Sequence, residues 1–188
     1  MPLLPALEVL AALRTDQIVV TTMGSAREWP KLSQHPLDFH YLPSAMGHST
    51  ALGLGLALAQ SRREVIAFTG DGGLLMSLGS LVTTAASGAK NLTIVLLDNR
   101  RYEVTGGQPT AAVDAKVDYL AIARGAGFTS AWSFDRLDAW RAAAASCLAA
   151  PGPRFIALAV EQLDTAYQLP APSPIPARAK ALRDRLTA

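Results

Sequence analysis

The chain has 188 residues, half of them apolar, a net charge of +2 and a single cysteine. That length supports one domain with a substantial core. The weak charge argues against nucleic acid as a partner. One cysteine excludes a Cys-ligated iron–sulfur cluster or zinc site within the chain. No apolar run approaches the roughly 20 residues of a membrane span. Met1–Leu13 lacks the basic segment and cleavage pattern of a signal peptide, so the expected location is the cytoplasm, with no membrane partner.

In chain order, Pro5–Leu13 places Leu7, Leu10 and Leu13 at helical spacing, and Gln17–Thr21 reads as a strand. Ser25–Leu32 reads as a short helix or turn limited by Pro30. Phe39–Leu42 is a short extended piece. Met46–Gln60 is strongly apolar and is expected as a buried helix, with Ser44 as a candidate N-cap. Strand Glu64–Thr69 leads into a helix from about Leu74 to Ser87, closed by Gly88. Strand Leu92–Leu97 is followed by a long loop from Asp98 to about Asp114 and a helix through about Arg124. Phe128–Ala131 is expected as a strand, Asp135–Ala149 as a helix and Arg154–Val160 as a strand. This alternation predicts an α/β fold, a single three-layer αβα domain around a mostly parallel sheet. The domain is expected to span residues 1–165. Residues 166–188 then form a Pro-rich linker (Gln168–Pro176) and a short basic helix, Arg178–Leu186, available for docking on a partner.

Several motifs are decoys. Gly53-Leu54-Gly55 fails as a dinucleotide fingerprint because Leu58 stands at the third glycine and the segment lies inside a helix. Its small residues fit close packing instead. Ser25 and Ser49 lack the flanks of a nucleophile elbow. His35, His40 and His48 lack metal-cluster spacing, and Cys147 fits a small core residue in an Ala-rich helix.

The informative block is Gly70-Asp71-Gly72-Gly73, followed at the end of the next strand by Asp98-Asn99. Both ends would face one crevice of a parallel sheet, where open α/β folds bind ligands. A carboxylate, an amide oxygen and a Gly-rich turn suit Mg²⁺ holding a diphosphate, because Mg²⁺ takes a few hard oxygens and completes its shell with phosphate and water. The glycines let backbone N–H groups approach phosphate, and the following helix adds its N-terminal dipole. The bland alternative is Asp71 acting as a helix cap. The loop after Asp98 contains Tyr102 and Thr105-Gly106-Gly107-Gln108-Pro109, flexible glycines beside hydrogen-bonding groups that could order over a cofactor.

These residues resemble the diphosphate-binding domain of thiamine diphosphate-dependent 2-oxo acid decarboxylases, whose signature is Gly-Asp-Gly, a spacer and then Asn. The resemblance implies Asp71 and Asn99 as side-chain ligands of Mg²⁺ and the Arg101 carbonyl as a third. It implies backbone contacts from Gly70, Gly72, Gly73 and Leu74 to the diphosphate. Ser44-Ala45-Met46-Gly47-His48 is similar to the family's Gly-Ser-Met-Gly segment. Met46 would then wedge between the two cofactor rings, beside Gly47, and the Ser44 carbonyl would accept from the cofactor's amino group. Ser44, Ala45 and Arg101 depart from the usual Gly, Ser and Gly at those places.

More narrowly, Ser25-Ala26-Arg27-Glu28-Trp29, Phe39-His40-Tyr41-Leu42 and Thr105–Thr110 look like the β subunits of sulfopyruvate decarboxylases and the C-terminal halves of phosphonopyruvate decarboxylases. The resemblance implies decarboxylation of a small 2-oxo acid, with thiamine diphosphate and Mg²⁺ as cofactors. Arg27 and His48 are candidates for binding the substrate's anionic group and for proton transfer. The family also needs a glutamate on a pyrimidine-binding domain. Glu8, Glu28, Glu64, Glu103 and Glu161 are all in this chain, and none belongs to such a domain. The expectation is a hetero-oligomer in which a separate pyrimidine-binding (alpha) subunit carries the catalytic Glu. An acyloin-forming carboligase subunit and a non-catalytic cofactor-binding or regulatory subunit stay open as alternatives. A 2-oxoacid:ferredoxin oxidoreductase β subunit is disfavoured by the single cysteine.

Overall fold

The computed structural model describes residues 1–163 and 173–187. Among them, six parallel strands form one sheet: β1 (Ile18–Thr21), β2 (Asp38–His40), β3 (Val65–Gly70), β4 (Leu92–Asp98), β7 (Ser130–Phe134) and β8 (Arg154–Ala159), in the order β2-β1-β3-β4-β8-β7. A two-stranded antiparallel ribbon, β5 (Arg101–Tyr102) with β6 (Gln108–Pro109), stands apart in the loop after β4. The three-layer α/β architecture read from the βα alternation is the one observed.

The core explains why the strands are continuous apolar runs. Side chains alternate across a strand, and helices cover both faces of a parallel sheet, so both parities must be apolar. Along β3, Val65 and Ala67 face one core while Ile66 and Phe68 face the other. Along β4, Leu92, Ile94 and Leu96 alternate with Val95 and Leu97 in the same way. Each fully buried Leu, Val, Ile or Phe contributes roughly 1.5–3 kcal/mol. The first layer holds α1 (Leu3–Leu13) and α8 (Leu137–Ala149), joined where Trp140 Nε1 donates to the Ala6 carbonyl at 3.0 Å. Cys147 of α8 is buried in that layer, as its Ala-rich context suggests.

The opposite layer holds α3 (Ser49–Ala59), α5 (Gly79–Ser87), α7 (Tyr119–Gly125) and α9 (Ile175–Leu186). The glycines of α3 permit close packing: a Cβ on Gly53 would lie 2.6 Å from the Ala67 Cβ.

The observed elements depart from expectation at several points. α3 begins at Ser49, with His48 as its N-cap, so Ser44 does not cap it and Met46 lies outside it. Gly47, at φ +84°, turns the chain before the helix can start. Nor is α3 buried all round, because Leu58 is 57% exposed and only one face is covered. The segment after β3 is two helices, α4 (Asp71–Leu75) and α5, separated by a turn at Met76–Leu78 before Gly79. The dipole behind the glycine turn is therefore that of little more than one helical turn.

Phe128 is not in a strand. Gly127, at φ +108°, folds it back so that its N–H donates to the Ala123 carbonyl at 3.1 Å, and β7 starts at Ser130. Finally, α9 docks on its own domain. Leu182 is buried in the core and the Arg178 guanidinium donates to the carbonyls of His40 and Leu42. Most of the expected Pro-rich linker lies outside the described residues, while Pro174 and Pro176 sit at the start of α9, which opens at Ile175. Among the described residues, no helix is long and apolar enough to cross a membrane.

Candidate cofactor-binding site

The strand order places a topological switch between β1 and β3: the chain leaves β1 toward β2 on one side and returns to β3 on the other. Connections diverge there and leave a crevice outside the strands' C-terminal ends. A pocket occupies that crevice. Thr22–Ser25 after β1 line it, with Met46, Gly47 and Ser49 at the entry to α3. Thr69–Gly73 at the end of β3, Asn99 and Arg101–Thr105 after β4, and Val160 after β8 also line it.

Asp71 is the chemical centre of this pocket. It is the first residue of α4, with Gly70 preceding it as the N-cap, and it is 1% exposed. Its Oδ2 accepts a 2.8 Å hydrogen bond from the Thr110 hydroxyl. Burial pushes its carboxyl up to about 6, and the neighbouring Asp98 adds to the rise. Among the described residues no basic side chain forms an ion pair with it. A buried carboxylate without a counter-charge is costly unless it is neutralised or coordinates a metal. That is more than a capping role requires, and it is the chemistry expected of a residue that holds a divalent cation.

The loop after β4 brings the other candidate ligands to the same pocket. Asn99 Oδ1 accepts from the Arg101 N–H at 3.0 Å, a local turn that fixes the backbone between them. Arg100 within that turn has φ +63°. The Arg101 guanidinium is exposed and donates to the Gly107 carbonyl at 2.6 Å, so its carbonyl, not its charge, is the group available to a cation. The Tyr102 ring packs closely against Gly72: a Cβ there would fall 2.4 Å from the ring.

Met46-Gly47 meets the glycine turn directly. A Cβ on Gly47 would lie 2.9 Å from the Gly73 carbonyl oxygen, so only glycine permits this approach. Met46 is 47% exposed at the pocket edge. Leu74 points its side chain into the core, leaving only its backbone for the site. Ser44 is half-buried and outside the pocket lining, its hydroxyl directed at the Met23 sulfur.

The two candidate catalytic side chains are not in the pocket that this chain forms. Arg27 Nε pairs with Glu28 Oε1 at 2.7 Å. Burial pushes the Glu28 carboxyl up, but hydrogen bonds from Lys31 and Arg27 outweigh it and leave the group below its ordinary value. His48 is exposed, with Nδ1 3.0 Å from the Met46 carbonyl.

Three contributors are not among the candidate site residues, although Ser25 and Thr110 lie in segments that carry the resemblance. Thr22–Ser25 enter through the strand order, which local sequence does not carry. Met23 takes φ +49° there, an uncommon conformation at the open end of β1. Glu103 lines the pocket, but its Oε1 accepts the Leu163 N–H at 3.0 Å. Thr110 reaches Asp71 across the chain; its signal is only its place at the end of the glycine-containing loop.

Residues 20–158 match the thiamine pyrophosphate enzyme family through its C-terminal TPP-binding domain. The chain belongs to that family. It is 42% identical over 151 residues to the sulfopyruvate decarboxylase subunit beta of Methanothermobacter thermautotrophicus, covering 80% of this chain and 77% of that one. It is 40% identical over 153 residues to the phosphonopyruvate decarboxylase of Streptomyces viridochromogenes, covering 81% of this chain but only 38% of the relative. Among solved structures, the benzoylformate decarboxylase of Polynucleobacter necessarius superposes with a TM-score of 0.71 at 19% identity, over 85% of this chain and 33% of that one. That likeness concerns the fold. The resemblance carried by Gly70-Asp71-Gly72, Asn99 and Met46-Gly47 thus holds at the level of the family.

Proposed function

We propose that this chain is the diphosphate-binding subunit of a thiamine diphosphate- and Mg²⁺-dependent decarboxylase of a small 2-oxo acid carrying a sulfonate or phosphonate. The observation that carries the reading is the buried Asp71, without a basic partner, in a pocket shared with Asn99, Arg101 and the Gly47–Gly73 contact. The names of the sulfopyruvate and phosphonopyruvate decarboxylases support the substrate class.

Asp71 and Asn99 hold Mg²⁺ through their side chains and Arg101 through its carbonyl. These are hard oxygen donors, the set this ion prefers. The backbone at Gly70, Gly72, Gly73 and Leu74 faces the diphosphate. Met46 offers an exposed apolar side chain for the cofactor rings, with Gly47 and the Ser44 carbonyl beside it. Thiamine diphosphate supplies, when bound, an electron sink for the loss of CO₂.

Of the glutamates, Glu103 lines the crevice and accepts the Leu163 N–H, while Glu28 lies outside it and pairs with Arg27 and Lys31. A glutamate able to act on the pyrimidine ring therefore comes from a separate alpha subunit, and the active site lies between the two chains. His48, exposed beside Met46, is assigned proton transfer, and Arg27, paired with Glu28 outside the pocket that this chain forms, is assigned the substrate's anionic group only in the site completed by that subunit. The test is CO₂ release from sulfopyruvate and phosphonopyruvate by the chain alone and by its complex with a companion captured from the native host. Release is expected from the complex only; full turnover by the chain alone would sink the proposal.

A further inference from the structure

Thr110 occupies the N-cap position of the short helix α6 (Ala111–Ala115), yet its side chain makes no capping bond. Threonine is among the favoured N-cap residues, and a cap of this kind is worth about 1 kcal/mol. Here the hydroxyl is turned away from its own helix and donates to Asp71 Oδ2, in a site where Thr110 itself is 1% exposed. The Thr110 N–H also donates to the Arg100 carbonyl at 3.0 Å, between Asn99 and Arg101. The intervening loop is braced internally, by the Arg101 guanidinium on the Gly107 carbonyl and by the Gly107 N–H on the Tyr102 carbonyl at 2.9 Å. One residue therefore joins Asp71, at the start of α4, to the segment after β4, which carries Asn99 and Arg101.

We propose that Thr110 is a positioning residue for the divalent cation: it orients the Asp71 carboxylate and locks the Asn99–Arg101 segment against it, so that the three oxygen donors converge before the metal arrives. The inference rests on the proposed ligand set and goes beyond it, because Thr110 touches neither metal nor substrate. Hydrogen bonds of this kind to ligating carboxylates fix ligand orientation, and their removal costs about 10- to 100-fold in metal affinity. The role is specific to the hydroxyl, since the backbone tie to Arg100 survives any substitution except proline.

The experiment compares the wild-type full chain, in complex with its companion, with Thr110→Val and Thr110→Ser. Free Mn²⁺ is followed by electron paramagnetic resonance in the presence of thiamine diphosphate, and thermal melting of each protein checks folding. Thr110→Val, which keeps the shape and loses the hydroxyl, is expected to weaken Mn²⁺ binding about 10- to 100-fold. Thr110→Ser is expected to stay within about threefold of wild type by the same reasoning. Equal Mn²⁺ affinity in wild type and Thr110→Val overturns the proposal, as does a Thr110→Ser protein as defective as Thr110→Val. If Thr110→Val fails to fold, Thr110→Ala, which also lacks the hydroxyl, takes its place: Mn²⁺ binding weakened beside a near-wild-type Thr110→Ser supports the hydroxyl's role, and affinity equal to wild type overturns it. A wild-type complex that binds no Mn²⁺ with the cofactor present overturns the ligand set itself, an outcome distinct from the others.

Discussion

Replacing Asp71 with Asn should move stability in opposite directions with and without the cofactor. In metal-free protein at pH 7.5 the buried carboxylate is ionised although burial has pushed its pKa up to about 6. Against an ordinary value near 4, and at about 1.4 kcal/mol per pH unit, the charge costs the folded state about 3 kcal/mol. Asn keeps the volume and can still accept from the Thr110 hydroxyl, and the value of about 6 already includes the bond which that hydroxyl makes to the charged form. The net gain is about 3 kcal/mol, or about 6–12 °C in Tm for a chain of this size.

The sign follows from the direction of the shift. A raised carboxyl pKa leaves the fold unpenalised below the unfolded value near 4, and the penalty is complete above about 6. The advantage of Asp71→Asn should therefore vanish at pH 4 and be full at pH 7.5. With Mg²⁺ and thiamine diphosphate in the complex, the order reverses: ligand at about 1,000 times Kd adds about 4 kcal/mol to the wild type and nothing to the variant. Differential scanning calorimetry in EDTA and in Mg²⁺–cofactor measures both. An Asp71→Asn chain less stable than wild type in EDTA at pH 7.5 would show that the charge serves the fold and refute the reasoning.

Other perturbations follow from the same geometry. Gly47→Ala must hold a Cβ at φ +84° and 2.9 Å from the Gly73 carbonyl; it should lose about 1–3 kcal/mol in urea unfolding and more than tenfold in cofactor affinity by titration calorimetry. Gly53→Ala, whose Cβ would sit 2.6 Å from that of Ala67, should lose about 1–3 kcal/mol through overpacking while the metal affinity of the folded fraction stays unchanged. Arg178→Ala removes the donor to the His40 and Leu42 carbonyls; limited proteolysis should then release α9 from a domain that otherwise remains folded. His48→Ala should leave Mn²⁺ and thiamine diphosphate affinity intact and lower kcat of the complex, by roughly the 10²- to 10⁴-fold typical of a lost acid–base group.

The strands are legible in the sequence because burial on both faces writes them as continuous apolar runs, as in Val65–Thr69 and Leu92–Leu97. The glycine–aspartate turn and Asn99 are legible because each sits at the end of such a run. Helix starts are less so. Met46 is as apolar as the helix it precedes, and only the backbone reversal at Gly47 separates the two. The break between α4 and α5 is hidden for the same reason, since Met76 and Leu78 continue the apolar pattern through a turn. Contacts across the chain leave no local trace. Thr110 and Asp71 meet only because the loop after β4 folds back over β3, and Thr22–Ser25 reach the pocket only through the strand order.

In the proposed site, Asp71, Asn99 and the Arg101 carbonyl hold the metal of a diphosphate cofactor. The most direct measurement is anomalous diffraction from crystals of the complex grown with Mn²⁺ and thiamine diphosphate. One Mn²⁺ peak is expected within bonding distance of Asp71, Asn99 Oδ1 and the Arg101 carbonyl oxygen, with the diphosphate against Gly72 and Gly73. A cofactor bound with the metal elsewhere, or with Asp71 touching only Thr110, would contradict this ligand set.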